Sequence, residues 1–92
     1  MSPLSFDFVY ANTQGDFKTV HVQLNVTKEG DLELAIFSDE TIADNEVFQV
    51  VENLQNHRLK RMNVNLIADA KILLCVKNQQ EKELDLKTAS NG

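Results

Sequence analysis

The chain has 92 residues, of which 42% are hydrophobic and 25% are charged, and its formal net charge is −5. This length predicts one domain with a small core, and the apolar content excludes a disordered chain. The negative charge disfavours general nucleic-acid binding, which requires clustered positive charge.

The cysteine content and the apolar runs indicate the compartment. One cysteine, Cys75, excludes an internal disulfide and gives no sign of an oxidising compartment. No apolar run approaches the roughly 20 residues of a membrane span, and the first residues lack a signal-type core. We therefore expect a cytoplasmic protein that does not contact a membrane.

The first third of the chain alternates between apolar and polar residues. This period of two is typical of half-buried strands, and it predicts strands at about 4–12, 16–27 and 31–37. The apolar members all have even numbers: Leu4, Phe6, Phe8, Tyr10, Val20, Val22, Leu24, Val26, Leu32, Leu34 and Ile36. We therefore expect the even-numbered side chains to face the core.

Two glycines fix the register of these strands. Paired residues in an antiparallel hairpin share a face, so even positions must pair with even positions. Three-residue loops ending at Gly15 and Gly30 satisfy this condition, pairing Phe8 with Val20 and Val26 with Leu32. Loops of this kind place a left-handed residue at the position of the glycine.

A change of period after Phe37 predicts a helix at about 42–58. Apolar residues recur there at helical spacing: Val47, Val50, Val51 and Leu54. Thr41 and Asp44 resemble a capping box, and Asp44 could itself cap the helix. Acidic residues lie near its beginning and basic residues near its end, as the helix dipole favours.

Beyond the helix, Met62 to Leu66 and Ile72 to Val76 alternate again. Residues 68–70 are either a turn or part of one bent strand. A weaker last strand is predicted at Lys82–Lys87, in a register that pairs Val76 with Leu84. The sequence thus predicts a single α+β domain over residues 1–88, followed by a frayed tail at 89–92. Its fold is an antiparallel sheet of five or six strands, in the order β-β-β-α-β-β-(β), with one helix on one face.

One helix covers one face of the sheet, so function is expected on the odd-numbered face. There the predicted pairing places His21 between Asp7 and Phe37. An aspartate can orient an imidazole for acid–base chemistry. However, no serine or cysteine nucleophile is expected beside the pair, and the sequence indicates that the protein is not an enzyme.

Apolar residues on the odd-numbered face, together with His21, form a candidate interface. Its members are Val9, His21, Phe37, Ile67 and Leu73. Alternatively, the C-terminal segment covers this face, or the strands curl into a partly closed barrel.

A basic cluster near the end of the helix comprises His57, Arg58, Lys60 and Arg61. These side chains could hold a phosphate or an acidic partner, or they could simply stabilise the helix end. The two histidines lie in different elements without further ligands at metal-binding spacing, so neither a metal nor a cofactor is expected.

These features predict a small non-enzymatic protein-interaction domain that forms a homodimer through an open sheet face or a strand edge. One alternative is an acidic inhibitor, antitoxin or phage-type accessory protein. The eight acids and no bases between Glu29 and Glu52 would then meet a basic surface. Another alternative is phosphate or nucleic-acid binding through His57–Arg61, with a salt-dependent affinity.

Overall fold

The computed structural model describes residues 4–59, 61 and 70–84. One five-stranded sheet contains the strands in their order along the chain: β1 (Leu4–Ala11), β2 (Phe17–Val26), β3 (Leu32–Ser38), β4 (Lys71–Val76) and β5 (Lys82–Leu84). A helix, α1 (Asp44–Leu54), continues into a π-helical turn at Gln55–Leu59. The predicted α+β class is therefore confirmed.

Both predicted hairpins have the expected register. Phe8 pairs with Val20 across β1 and β2, and Val26 pairs with Leu32 across β2 and β3. Gly15 and Gly30 end the two loops with φ values of 85° and 86°. A residue with a Cβ is strained in this left-handed region, which explains the use of glycine at both positions.

The prediction of a fully antiparallel sheet is wrong at the centre. β3 pairs with β4 in parallel, with Glu33 beside Lys71 and Ser38 beside Val76. A parallel pair requires a long crossover connection, usually a helix, and α1 lies in the segment between the two strands. The antiparallel hairpins β1–β2–β3 and β4–β5 therefore flank one parallel junction.

The even-numbered face of the sheet forms the core, as predicted. Val22, Leu34, Ile36 and Ile72 from the strands are each at most 1% exposed. Four residues of α1 pack into the same cluster: Val47, Val50, Val51 and Leu54. Removal of these side chains from water supplies most of the stabilisation of such a small domain.

The beginning of α1 differs from the prediction of a capping box. The N-cap residue is Ala43, which makes no side-chain capping bond. The carboxylate of Asp44 instead accepts from Lys82 Nζ at 2.8 Å and 3.1 Å. Asp44 therefore joins the helix to β5 rather than capping its own helix.

The register predicted for the last hairpin is also wrong. Leu84 pairs with Ile72 rather than Val76, and Lys82 pairs with Leu74. Asn78, with a φ of 65°, bends the chain directly after β4, and the N–H of Gln79 donates to the carbonyl of Val76. The strand predicted around Val64, residues 68–69 of the predicted turn, residues 85–87 and the tail at 89–92 lie outside the described residues.

Candidate functional site

Odd-numbered side chains of the strands point away from α1 and form a surface that we call the open face. Its polar half comprises the odd positions of β1 and β2, and its apolar half comprises those of β3 and β4. The predicted interface residues Val9, His21, Phe37 and Leu73 all lie on this face. The fifth, Ile67, lies outside the described residues.

The polar half contains a hydrogen-bonded array of three side chains. Asp7 and His21 are directly opposite each other, and His21 Nδ1 lies 2.8 Å from Asp7 Oδ1. The other ring nitrogen, Nε2, lies 2.6 Å from Ser5 Oγ. The expectation that no nucleophile lies beside the pair is therefore wrong.

Ser5 reaches His21 because of the pleat of the sheet. It lies two residues before Asp7, on the same face of β1, and is directly opposite Gln23. This makes Ser5 a diagonal neighbour of His21, at a separation that a long side chain can span. The serine two positions before the aspartate was the available sequence signal.

The apolar half is a small hydrophobic surface around Phe37. The Phe37 side chain is 38% exposed, and its ring centroid lies 6.0 Å from that of His21 at an interplanar angle of 48°. Ala35, Leu73 and Cys75 occupy neighbouring positions, and the last two are partly exposed. Exposed apolar surface of this kind is typical of protein contacts.

Cys75 contributes to this surface as a neutral thiol. Burial, the largest cause, raises the pKa of Cys75 above its ordinary value, and the carboxylates of Glu81 and Glu33 raise it further. Because the thiolate is the reactive form, this environment favours a packing role over a nucleophilic one.

The basic cluster is only partly described. His57, Arg58 and Arg61 are exposed, and Lys60 lies outside the described residues. The guanidinium carbon of Arg58 lies 4.7 Å from the centroid of the Phe6 ring. This geometry is a cation–π contact within the chain, so Arg58 has a structural role at the rim of the core.

A cleft of about 250 Å³ lies between β2, the β3–α1 loop and the beginning of α1. It is lined in part by Tyr10, Phe17, Lys18, Glu40 and Glu46. The Tyr10 hydroxyl donates to Glu46 Oε2 at 3.1 Å. Burial, the hydrogen bond to Glu46 and the negative charges of Glu46 and Glu40 raise the pKa of Tyr10 to about 12.

Within the described ranges, no three His, Cys, Asp or Glu side chains are grouped closely enough to bind a metal ion. No helix in the part of the chain that the structure describes is both long and apolar enough to cross a membrane. Comparisons with protein-family models, with curated proteins and with solved structures found no match to this chain.

Proposed function

We propose that this protein is an interaction domain that forms a homodimer through the apolar half of the open face. The observation that supports this proposal is the exposure of Phe37 beside the partly exposed Leu73 and Cys75, on the face opposite α1. Hydrophobic burial between two such faces provides the driving force for association.

The apolar half is complementary to itself. Each odd position of β3 lies beside an odd position of β4, and the two members of each row differ in charge or size. The rows are Glu33 with Lys71, Ala35 with Leu73, and Phe37 with Cys75. Each row thus offers an acid and a base, a small and a large side chain, or a ring and a thiol.

A dimer can use this complementarity if its twofold axis lies above the open face, midway between β3 and β4 and parallel to both strands. Rotation about this axis places β4 of the second copy over β3 of the first, with each row of residues facing the same row. Glu33 then faces Lys71 of the second copy, and Ala35 faces its Leu73. Contacts of this isologous kind are the rule in homodimers, and aligned sheets pack face to face at about 30°.

Charge also favours a second copy at this place. Two chains of net charge −5 repel each other in most orientations. The odd positions of β3 and β4 carry one acid, Glu33, and one base, Lys71, so the two central strands of the contact have no net charge. This half of the face therefore permits close approach.

The size of the contact sets the expected affinity. With the axis between β3 and β4, four strands overlap, and strand spacing and rise give a projected area of roughly 450 Å² per copy. This is below the ~800 Å² per partner of a standard stable interface. We therefore expect a weak dimer, with a Kd of about 1–100 μM.

The test reverses one charge of the Glu33–Lys71 row in each of two variants. Glu33→Lys and Lys71→Glu should each raise the Kd about 10-fold or more in sedimentation equilibrium, because like charges then face each other across the axis. An equimolar mixture of the two variants should form heterodimers of wild-type affinity, since every facing pair is again opposite in sign.

Control variants make the same charge changes elsewhere. Glu29→Lys and Lys28→Glu alter exposed residues of the β2–β3 loop and should leave the Kd within about twofold of the wild type. A wild-type protein that stays monomeric up to about 1 mM would overturn the proposal. So would single variants that associate as tightly as the wild type.

A further inference from the structure

We propose that Ser5, His21 and Asp7 form an acyl-transfer site that hydrolyses small esters. This activity goes beyond the proposed association and does not depend on it. The order of contacts is that of a nucleophile, a base and a residue that orients the base. The two distances, 2.6 Å from Ser5 Oγ to Nε2 and 2.8 Å from Nδ1 to Asp7, are those of hydrogen bonds.

The hydrogen bonds assign a role to each ring nitrogen. A carboxylate can only accept a hydrogen bond, so Asp7 accepts from Nδ1–H of His21. In the neutral imidazole, Nε2 is then the unprotonated nitrogen and accepts from the Ser5 hydroxyl. This is the tautomer that a general base requires in order to take the serine proton.

Backbone donors for a developing oxyanion lie on the outer edge of β1, which pairs with no strand among the described residues. In an antiparallel pair, residues alternate between those bonded to the neighbouring strand and those directed outward. The bond from the N–H of Asn12 to the carbonyl of Asp16 fixes this alternation. The even residues of β1 therefore bond to β2, and the N–H groups of Ser5 and Asp7 point outward.

Two groups are candidate oxyanion donors beside Ser5. One is the N–H of Ser5 itself, and the other is the side-chain amide of Gln23, which pairs directly with Ser5 on the same face of the sheet. Donors of this type stabilise the negative charge that develops on a carbonyl oxygen under attack. The site thus combines nucleophile, base, orienting carboxylate and oxyanion donors.

The reaction proceeds in two balanced steps. Ser5 Oγ attacks the ester carbonyl carbon while its proton passes to His21 Nε2, and the alcohol departs with that proton to leave an acyl-Ser5 ester. Water then attacks the acyl carbon, giving its proton to Nε2. Cleavage of the acyl–Oγ bond releases the carboxylic acid, and the proton returns to Ser5.

Exposure of the array defines the substrate class. The side chains of His21 and Asp7 are 46% and 76% exposed, so solvent reaches the reacting atoms. The site therefore suits short acyl esters with good leaving groups. These esters would reach Ser5 by approaching over the edge of β1. In the proposed dimer, β1 extends past the four overlapping strands, so Ser5 and Asp7 lie outside the overlap and His21, on β2, lies at its margin.

The experiment measures hydrolysis of p-nitrophenyl acetate and locates the acetyl group by peptide mass spectrometry. We expect turnover at about 10²-fold the buffer rate, the lower end of general-base catalysis, with acetyl trapped on Ser5 in acid-quenched samples. Ser5→Ala should remove both the label and at least nine-tenths of the rate. His21→Gln should do the same, and Asp7→Asn should also lower the rate about 10-fold.

Matched controls separate this chemistry from background reactions. Thr19→Ala removes a hydroxyl from the same face of β2, and His57→Gln removes the other histidine; both should retain the wild-type rate. Leu73→Lys, which should weaken the dimer, should also retain it, so the two proposals can fail separately. Acetyl found only on lysine or histidine, or a Ser5→Ala variant as active as the wild type, would overturn the proposed site.

Discussion

Tyr10 provides a direct test of the packing between the sheet and the beginning of α1. Its side chain is 4% exposed, and its hydroxyl donates to Glu46 Oε2. Burial and the neighbouring carboxylates raise its pKa to about 12, from an ordinary value of 10.0. The perturbation is Tyr10→Phe, which keeps the ring and removes the titrating group.

The sign of the effect follows from proton linkage. The folded state holds the phenolic proton more tightly than the unfolded state, so this contribution to stability is complete below about pH 10. It is lost as the pH rises through about 12. A difference of about two pKa units corresponds to ~2.7 kcal/mol, of which about half is lost by pH 11.

At neutral pH the variant should be less stable than the wild type by about 1 kcal/mol, because the hydrogen bond to Glu46 is absent. Near pH 11 the wild type has lost more unfolding free energy through Tyr10 ionisation than the variant lacks at neutral pH. The two stability curves should therefore cross at about that pH. Lysines that deprotonate in the same range affect both proteins and cancel in the comparison.

Urea unfolding followed by circular dichroism, at several pH values, measures both curves. Tyr10 is the only tyrosine, and the chain has no tryptophan, so phenolate absorbance reports this one residue. The midpoint of ionisation should lie near 12 in the folded protein and near 10 in concentrated urea. A folded midpoint near 10, or parallel stability curves for the two proteins, would refute this description of the Tyr10 environment.

Five further substitutions, at four positions, test other parts of the fold by urea unfolding. Gly30→Ala and Gly15→Ala should each cost about 1–2 kcal/mol, because both glycines have positive φ although open space surrounds an added Cβ; alanine variants of wild-type stability would contradict the loop geometry. Ala43→Ser should stabilise the protein by about 1 kcal/mol, since α1 has no side-chain cap; an unchanged midpoint would contradict the assigned N-cap. Arg58→Ala should destabilise it by about 0.5–1 kcal/mol through loss of the contact with Phe6, and Arg58→Lys should cost less; equal losses in both variants would exclude guanidinium stacking as the cause.

The faces of the sheet could be predicted from the sequence because they depend only on parity, that is, on whether a residue number is even or odd. A strand exposes alternate residues on opposite faces, so the even-numbered apolar side chains must point together. The loops that end at Gly15 and Gly30 then admitted one register consistent with that parity. Two local signals thus agreed on the same hairpins, and both predictions are confirmed.

Parity does not fix the register of the last hairpin. Pairing Leu84 with Val76 or with Ile72 keeps both residues on the core side, so the apolar pattern cannot distinguish these alternatives. The turn residue decides between them. Asn78 adopts a positive φ, which asparagine tolerates better than most residues, and the chain reverses there instead of two residues later.

The hydrogen-bonded array at His21 was predicted only in part. The direct partners of His21 follow from the hairpin register, which gave Asp7 and Phe37. Ser5 is a diagonal neighbour, and its contact depends on the rotamer of the histidine, which the pairing alone does not determine. A search for Ser-x-Asp on a strand face opposite a histidine would have included it.

The parallel pairing of β3 and β4 is the feature that the sequence analysis missed, and the proposed dimer depends on it. In a parallel pair, Glu33 and Lys71 begin their strands at the same end and share a row. In an antiparallel pair of the same strands, Lys71 would lie near Ser38, and Glu33 would lie near Val76. The acid and the base would then occupy opposite ends of the apolar half. Rotation about the same axis would no longer place Glu33 opposite Lys71 of the second copy. Heterodimer formation between Glu33→Lys and Lys71→Glu chains therefore tests the crossover through α1 as well as the contact between copies.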